Sequence, residues 1–236
     1  MQVTIFKNIK ETYTPFHRDV MFVLTRIKNG DSKDLIKSIR KENDKSRRNE
    51  LKKNLPAVCF SGTFSKRSDD ALINHSGLIC LDFDGYSTKK EVLLEKEKLM
   101  SDDYVFSVFI SPSGNGLKVI VKIPCESENH KHYFNSLGDY YSSDKFDVST
   151  KNISRVCYES FDKDIYINED SLVWDKIKVS EYKPFDKTKD KTKMPITDSS
   201  KIIEILTKWW TNKYPMFEGQ RNNNAFILAS ALNDYG

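Results

Sequence analysis

The chain has 236 residues, of which 38% are hydrophobic and 31% charged. This length allows one good-sized domain with a smaller attachment, and the 14 Phe and 11 Tyr residues exclude a wholly disordered chain. The net charge of +4 permits a partner that bears phosphates but does not require one.

The sequence contains no apolar run long enough to cross a bilayer, and its first 16 residues lack the hydrophobic stretch of a secretory signal. The four cysteines are scattered, with no C-x-x-C pair, and three of them lie in strand-like apolar runs (Cys59, Cys80, Cys125 and Cys157 are the four). This usage is typical of buried free thiols and makes a zinc site improbable. We therefore expect a cytoplasmic protein with no membrane partner.

The N-terminal third predicts a strand, a long basic helical stretch and then two β-rich runs. The strand covers 2–6, and the helical pattern runs from about residue 19 to 53, with Leu35, Ile36 and Ile39 as its apolar stripe. We interpret the lysines and arginines of this stretch as a solvated helix face rather than a nucleic-acid contact. The two β-rich runs are 57–64 and 77–86.

In the middle of the chain, segments with helical periodicity alternate with strand-like segments. Predicted helices are 88–100, with Thr88 as N-cap and Glu91 three positions on, and 128–142. Predicted strands are 104–111, 117–123, 153–160 and 164–168. This pattern indicates an α+β fold in which helices cover a mixed sheet.

Composition changes after Trp174. Residues 177–199 lack hydrophobic periodicity and are rich in Lys, Asp and Thr, so we predict a linker between a main domain (1–176) and a small helical unit (200–236). The helical unit has a predicted turn at 215–219. Because the sequence stops soon after that unit begins, we expect a longer parent protein.

The strongest chemical signal is Asp82-Phe83-Asp84-Gly85 at the end of an apolar strand. Residues two apart on a strand face the same way, so both carboxylates would project together. Crowded carboxylates repel each other, and Mg²⁺ or Mn²⁺ relieves that repulsion through oxygen ligands. A turn with two solvated acids would have the same sequence.

A second signal is the turn at 111–116, which is built from small residues (Ser111, Ser113, Gly114 and Gly116). Its backbone N–H groups and hydroxyls could converge on an anion, and Lys118 on the following strand could reach the same anion. Ordinary hairpin chemistry explains this turn equally well.

The third signal combines Asp147 with Arg155. Asp147 follows a polar turn and could supply a third carboxylate, while Arg155 could pair with a triphosphate or with one of the acids. A turn cap and a structural ion pair are the alternatives.

Taken together, three segments resemble the archaeo-eukaryotic primase superfamily, and most closely its VirE N-terminal-like domains from bacteria, mobile elements and phages. The matching residues are GLICLDFDGY (77–86), SPSGNGLKVIVKI (111–123) and DVSTKNISRVCYESFD (147–162), with LPAVCFSGTF (55–64) upstream. The resemblance covers roughly residues 50–170. It implies an RRM-like primase core with an N-terminal α/β lobe, and the tail 218–236 resembles the primase C-terminal helical segment.

The resemblance also implies roles for the residues. Asp82, Asp84 and Asp147 would bind two Mg²⁺ or Mn²⁺ ions, and Ser111, Ser113, Gly114, Gly116, Lys118 and Arg155 would bind a nucleoside triphosphate. Many members have His where this sequence has Lys118. The implied activity is template-directed nucleotidyl transfer on single-stranded DNA, in replication of a phage or mobile element within a bacterial or phage-infected cell. A fused or separate helicase would be a partner.

Two alternatives stay open on the sequence alone. A degenerate primase fold would bind nucleotide or nucleic acid without catalysis, and Lys118 in place of His keeps that possibility alive. A haloacid-dehalogenase-type phosphatase would use Asp82 as nucleophile, but the downstream acidic element of that chemistry is missing.

Overall fold

A computed structural model describes residues 1–177, 199–213 and 221–234. The chain divides into two compact units, Met1–Ser180 and Glu181–Gly236. The predicted linker 177–199 lies almost wholly outside the described residues, as does the predicted turn at 215–219.

The first sheet of unit one has four antiparallel strands in the order β2-β1-β3-β9. These strands are β1 (Gln2–Phe6), β2 (Phe16–Asp19), β3 (Ala57–Cys59) and β9 (Cys157–Tyr158). Three helices follow β2: α1 (Val20–Asn29), α2 (Lys33–Lys41) and α3 (Lys45–Lys52). A separate hairpin pairs β4 (Gly62–Phe64) with β5 (Leu72–His75).

The second sheet has the order β10-β7-β8-β6. Its strands are β6 (Leu78–Phe83), β7 (Val105–Ile110), β8 (Leu117–Lys122) and β10 (Tyr166–Ile167), and its helices are α4 (Lys89–Met100) and α5 (His130–Tyr141). The α+β class is thus confirmed, but its strand pairs are antiparallel where a mixed sheet was expected. The reason is local: a tight turn joins β7 to β8, and β6 pairs on the other edge of β8.

Strand β6 separates two layers of core. Ile79, Leu81 and Phe83 pack with residues of α4 and α5, whereas Leu78 and Cys80 face α1 and the first sheet. The alternation of strand side chains therefore points residue 82 toward the first sheet as well.

Several sequence predictions differ from the structure in extent. The run 153–160 forms only a two-residue strand, because the Asp69 carboxylate accepts hydrogen bonds from the backbone N–H and hydroxyl of Ser154 and holds that segment in a loop. Strands β2 and β5 were not predicted, since Phe16–Asp19 and Leu72–His75 are mostly polar or exposed. The cysteine prediction is confirmed for Cys59 and Cys157, which are buried free thiols; Cys80 is half-buried and Cys125 is exposed.

The described residues of unit two form helices α6 (Ser199–Lys213) and α7 (Arg221–Asp234), which contact each other. Within the described part of the chain, no helix is both long and apolar enough to span a membrane.

The His75–His130 pair makes unit one sensitive to acid. His75 Nε2 and His130 Nδ1 are 3.1 Å apart, and burial lowers the pKa of both imidazoles, that of His130 to about 3. In the unfolded chain each imidazole binds a proton near pH 6.5, whereas in the folded chain it stays neutral to lower pH. The folded state therefore keeps its full stability above pH 6.5 and loses stability progressively as the pH falls toward 3.

We expect the free energy of urea unfolding to drop between pH 6.5 and pH 4, and to drop less steeply in His130→Phe. The exposed His132 supplies the matched control, because His132→Phe should keep the wild-type slope. Equal slopes in all three proteins would show that the buried imidazole does not set the acid sensitivity.

Candidate active site

The site is centred on an ion pair between the two strands β6 and β8. The ladder register places Asp82 opposite Lys118, and Lys118 Nζ donates to Asp82 Oδ2. Both side chains are largely shielded, with 19% and 14% of their surface exposed. Lys118 lies on the opposite face of β8 from Leu117 and Val119, as strand alternation requires.

Asp147 lies on the other side of β6. Its backbone N–H donates to the Asp82 carbonyl at 2.9 Å, and an antiparallel bridge joins Phe83 to Phe146. Residue 147 is therefore directly opposite residue 82, and opposite residues of an antiparallel pair share a face. Lys118, Asp82 and Asp147 form a row across three neighbouring backbones, which we call the acid row.

Asp84 lies next along the edge of the sheet at which β6 contacts the segment 145–147. Its N–H donates to the Lys145 carbonyl at 2.9 Å, and its Oδ1 accepts from the Gly85 N–H at 2.8 Å. Gly116 approaches so closely that a Cβ there would be 2.6 Å from the Phe83 carbonyl oxygen and 3.0 Å from Asp84 Oδ1. The glycine at 116 is thus needed to bring the turn beside the exposed Asp84.

The turn at 111–116 is closed by backbone hydrogen bonds, and its buried hydroxyl, that of Ser111, has no partner among the described residues. Ser111 N–H donates to Gly116 O at 2.9 Å, and Gly114 N–H donates to Ser111 O at 3.0 Å, with Gly114 in the left-handed region at φ 84°. Ser111 is 6% exposed, and its Oγ has no hydrogen-bond partner within the described residues. A buried hydroxyl without a partner is costly, so this group favours a bound ligand. Ser113 lies half-buried on the same turn.

Arg155 approaches the acid row from the first-sheet side. It shares a cavity of about 20 Å³ with Asp82 and Lys118, and Cys80 and Cys157 line the same space. That volume has room for about one water molecule, so a nucleotide would have to bind outside it.

The charges of the acid row stabilise one another. Burial alone would raise the pKa of Asp147, but hydrogen bonds from Ser149 and the positive charges of Arg155 and Lys118 outweigh it and lower the pKa. Burial would lower the pKa of Lys118, yet the Asp82 carboxylate beside it holds that pKa above its ordinary value. Lys118 is therefore charged at neutral pH and Asp147 is ionised.

Two cations of the basic helical stretch, Arg40 and Lys52, reach the site where the sequence predicted a solvated face. Arg40 on α2 donates through one terminal nitrogen to the carbonyls of Ser111 (3.2 Å) and Phe161 (2.9 Å). Lys52 on α3 is half-buried, and burial lowers its pKa while the Asp84 charge opposes that shift. A signal existed for Arg40, because it lies four positions after the buried Ile36, at the margin of the apolar stripe.

The donor set suits a hard divalent cation, although its side chains are otherwise engaged. Asp82, Asp84 and Asp147 offer carboxylate oxygens on adjacent backbones, which are the ligands that Mg²⁺ and Mn²⁺ prefer. As they stand, no three His, Cys, Asp or Glu side chains of the described residues are arranged to hold a metal. The reason is local: Asp82 pairs with Lys118, and Asp147 Oδ1 accepts from the Ser149 N–H. The residues fit the ion by their chemistry, and binding would require Lys118 to release Asp82.

Fold and site together define an α+β domain in which three acids and several cations meet between two sheets. Residues 50–167 match the family described as BT4734-like, N-terminal domain. This match spans half of the chain, and the chain belongs to that family. The matched range contains every predicted site residue. No curated protein and no solved structure matches the chain significantly.

Proposed function

We propose that this protein is a primase-polymerase, a metal-dependent nucleotidyltransferase that adds nucleotides to a 3′-hydroxyl on a single-stranded DNA template. The acid row is the single observation that carries the proposal. Asp82 and Asp147, 65 positions apart in sequence, are joined by a backbone hydrogen bond. Asp84, Lys118 and the turn at 111–116 lie beside them.

Asp82, Asp84 and Asp147 would hold two Mg²⁺ or Mn²⁺ ions. When bound, such ions polarise the attacking hydroxyl and stabilise charge on the transferred phosphate and the leaving pyrophosphate. The protein contributes the ionised carboxylates, and the buried strand β6 and the edge segment 145–147 hold those carboxylates in fixed positions. This preorganisation avoids rearranging charges during the reaction.

Lys118 has a double role in this proposal. Without ligand it neutralises Asp82, which would otherwise be a half-buried charge with no partner. With ligand it exchanges the carboxylate for a phosphate oxygen, which a flexible ammonium can do by rotating its side chain. Ser111 Oγ, the N–H groups of the turn and Arg155 would supply further donors to the triphosphate.

The finer fold assignment belongs to the same proposal. We infer that β6, α4, β7, β8 and α5 form the β-α-β-β-α part of the RRM-like primase core, with β8 between β6 and β7, and that the first sheet with its helices is the N-terminal lobe. The last strand, β10, pairs with β7, whereas the fourth strand of an RRM pairs with the first. Residues 218–236 would begin the helical segment that follows such cores, and a helicase, fused or separate, would be the partner in replication of a phage or mobile element.

One observation favours a second function, a primase fold that binds nucleotide without catalysis. The Asp82–Lys118 ion pair occupies the carboxylate that a metal needs. If that pair were permanent, nucleotide would bind equally well with and without divalent cation and no product would form.

The test is incorporation of labelled nucleotide on primed and unprimed single-stranded DNA, with Mg²⁺, with Mn²⁺ and with neither. Parallel reactions would use ribonucleotides and deoxyribonucleotides, and a generic phosphate ester would detect phosphatase activity. We expect metal-dependent extension and no release of phosphate from the ester. Nucleotide binding without extension under any of these conditions would favour the non-catalytic function instead.

A further inference from the structure

An open cleft adjoins the acid row on the side of the first sheet. It has a volume of about 480 Å³, and its walls include Arg67, Asn152, Arg155 and Tyr158. Arg155 also lines the small cavity at Asp82 and Lys118, so the cleft leads directly away from the candidate active site. None of the residues 111–116 lines it.

The cleft carries two arginines whose guanidinium groups make no direct ion pair within the described residues, although the charge of Arg155 acts on Asp147. The backbone N–H of Arg67 donates to Thr12 O, and that of Arg155 donates to Asn152 O, both at 2.9 Å. These bonds fix the backbone position of each arginine. Within the described part of the chain, neither guanidinium takes part in an ion pair. Arg26, by contrast, forms an ion pair with Glu159, in which Nε lies 2.6 Å from Oε1. Two unpaired guanidinium groups on one cleft provide a site for an anion.

The wall of the cleft is preformed. Asp69 accepts from Asn152 Nδ2 at 3.2 Å and from Ser154 Oγ at 2.6 Å. These bonds hold the loop before Arg155 in place and direct the Asp69 carboxylate toward Asn152 and Ser154, and Asp69 forms no ion pair with either arginine. A fixed loop means that little ordering entropy is lost when a ligand binds.

We propose that this cleft binds the backbone of single-stranded nucleic acid, with Arg67 on a phosphate, Tyr158 against a base, and Arg155 at the end of the cleft where the strand meets the triphosphate. This inference rests on the proposed function, since the strand then enters the site from the side opposite the turn at 111–116. Guanidinium groups contact phosphates through paired N–H donors, and an aromatic ring stacks on any base. A cleft with two arginines and a half-buried tyrosine combines both features.

The experiment is fluorescence anisotropy of a labelled single-stranded oligonucleotide, titrated with the whole chain over a series of salt concentrations. Arg67→Ala should weaken binding by about tenfold and reduce the slope of log affinity against log salt by about one. Lys66→Ala is the matched control, because it removes the same charge from the adjacent exposed position, outside the cleft. Arg67→Lys, which keeps the charge, should restore most of the slope, and thermal melting of each variant reports on folding.

The inference is overturned if Arg67→Ala binds the oligonucleotide as Lys66→Ala does, or if Arg67→Ala weakens binding of a labelled nucleoside triphosphate and leaves strand binding unchanged. Incorporation assays on the same wild-type preparation separate this failure from failure of the proposed function. If the wild type extends the primer but Arg67→Ala leaves strand binding unchanged, only the proposal about the cleft is rejected. If the wild type neither extends the primer nor binds the strand, the proposed function and the proposal about the cleft are both rejected.

Discussion

Asp82→Asn is expected to reduce metal-dependent nucleotide incorporation by at least about a thousandfold, or about 4 kcal/mol of transition-state stabilisation. Asp82 lies at the centre of the acid row, between Lys118 and Asp147. Any ion that binds at the site therefore lies close to its carboxylate. The asparagine keeps the size and one acceptor oxygen for Lys118 while removing the charge that a metal needs. The measurement is the initial rate of primer extension with saturating Mn²⁺.

Asp170→Asn is the matched control for this loss. Asp170 is exposed in the loop after β10, and its replacement changes the net charge equally without touching the site. We expect wild-type rates for Asp170→Asn and melting temperatures close to the wild type for both variants. Full activity in Asp82→Asn would refute the metal assignment.

Asp162→Ala is expected to destabilise unit one by about 3–5 kcal/mol. Asp162 and Lys96 form a buried ion pair at 2.7 Å, with only 4% and 5% of their side-chain surfaces exposed. The carboxylate also accepts from the Ile110 N–H at 2.9 Å and from the Asp164 N–H at 3.1 Å. Removing it leaves a buried ammonium with a single carbonyl partner, that of Asp164, and two backbone donors, the N–H groups of Ile110 and Asp164, without their carboxylate.

Urea unfolding at neutral pH measures this effect, and Asp164→Ala provides the comparison. The Asp164 side chain is 75% exposed, and its nearest cation, Lys163, is 3.6 Å away and equally exposed. We expect that variant to lose less than about 1 kcal/mol. A comparably small loss in Asp162→Ala would mean that the buried pair contributes little. The double variant Lys96→Met/Asp162→Leu should recover part of the stability, since it removes both charges together.

The sequence predicted the elements with strong periodicity and the residues that depend on neighbours along the chain. Strand β6 and the shared direction of its two acids follow from alternation, and helix α4 begins after Thr88, whose hydroxyl accepts from the Glu91 N–H at 3.2 Å. Alternation along β8 likewise accounts for the face that carries Lys118, opposite Leu117 and Val119. From the residues alone Asp147 was only one candidate for a third carboxylate, with a turn cap as the alternative, and the resemblance to primases gave the expectation that it lies beside Asp82.

Features that depend on distant contacts could not be predicted. Asp82 and Lys118 are separated by a helix and a strand, so no local pattern reveals that the ladder register sets them opposite each other. Arg40 and Lys52 were interpreted as solvated. The position of Arg40 at the margin of the apolar stripe indicates that it borders the core, but helical periodicity does not identify which distant residues lie beside that margin. The cleft at Arg67 and Arg155 depends on Asp69 restraining a loop 83–85 residues further along the chain.

The most direct measurement of the central claim is a crystal structure of the protein with Mn²⁺ and a non-hydrolysable nucleoside triphosphate, recorded at the manganese absorption edge. We predict anomalous peaks bounded by the carboxylates of Asp82, Asp84 and Asp147, with Lys118 Nζ moved from Asp82 to a phosphate oxygen. Manganese and nucleotide bound elsewhere, with the Asp82–Lys118 ion pair intact, would contradict the account.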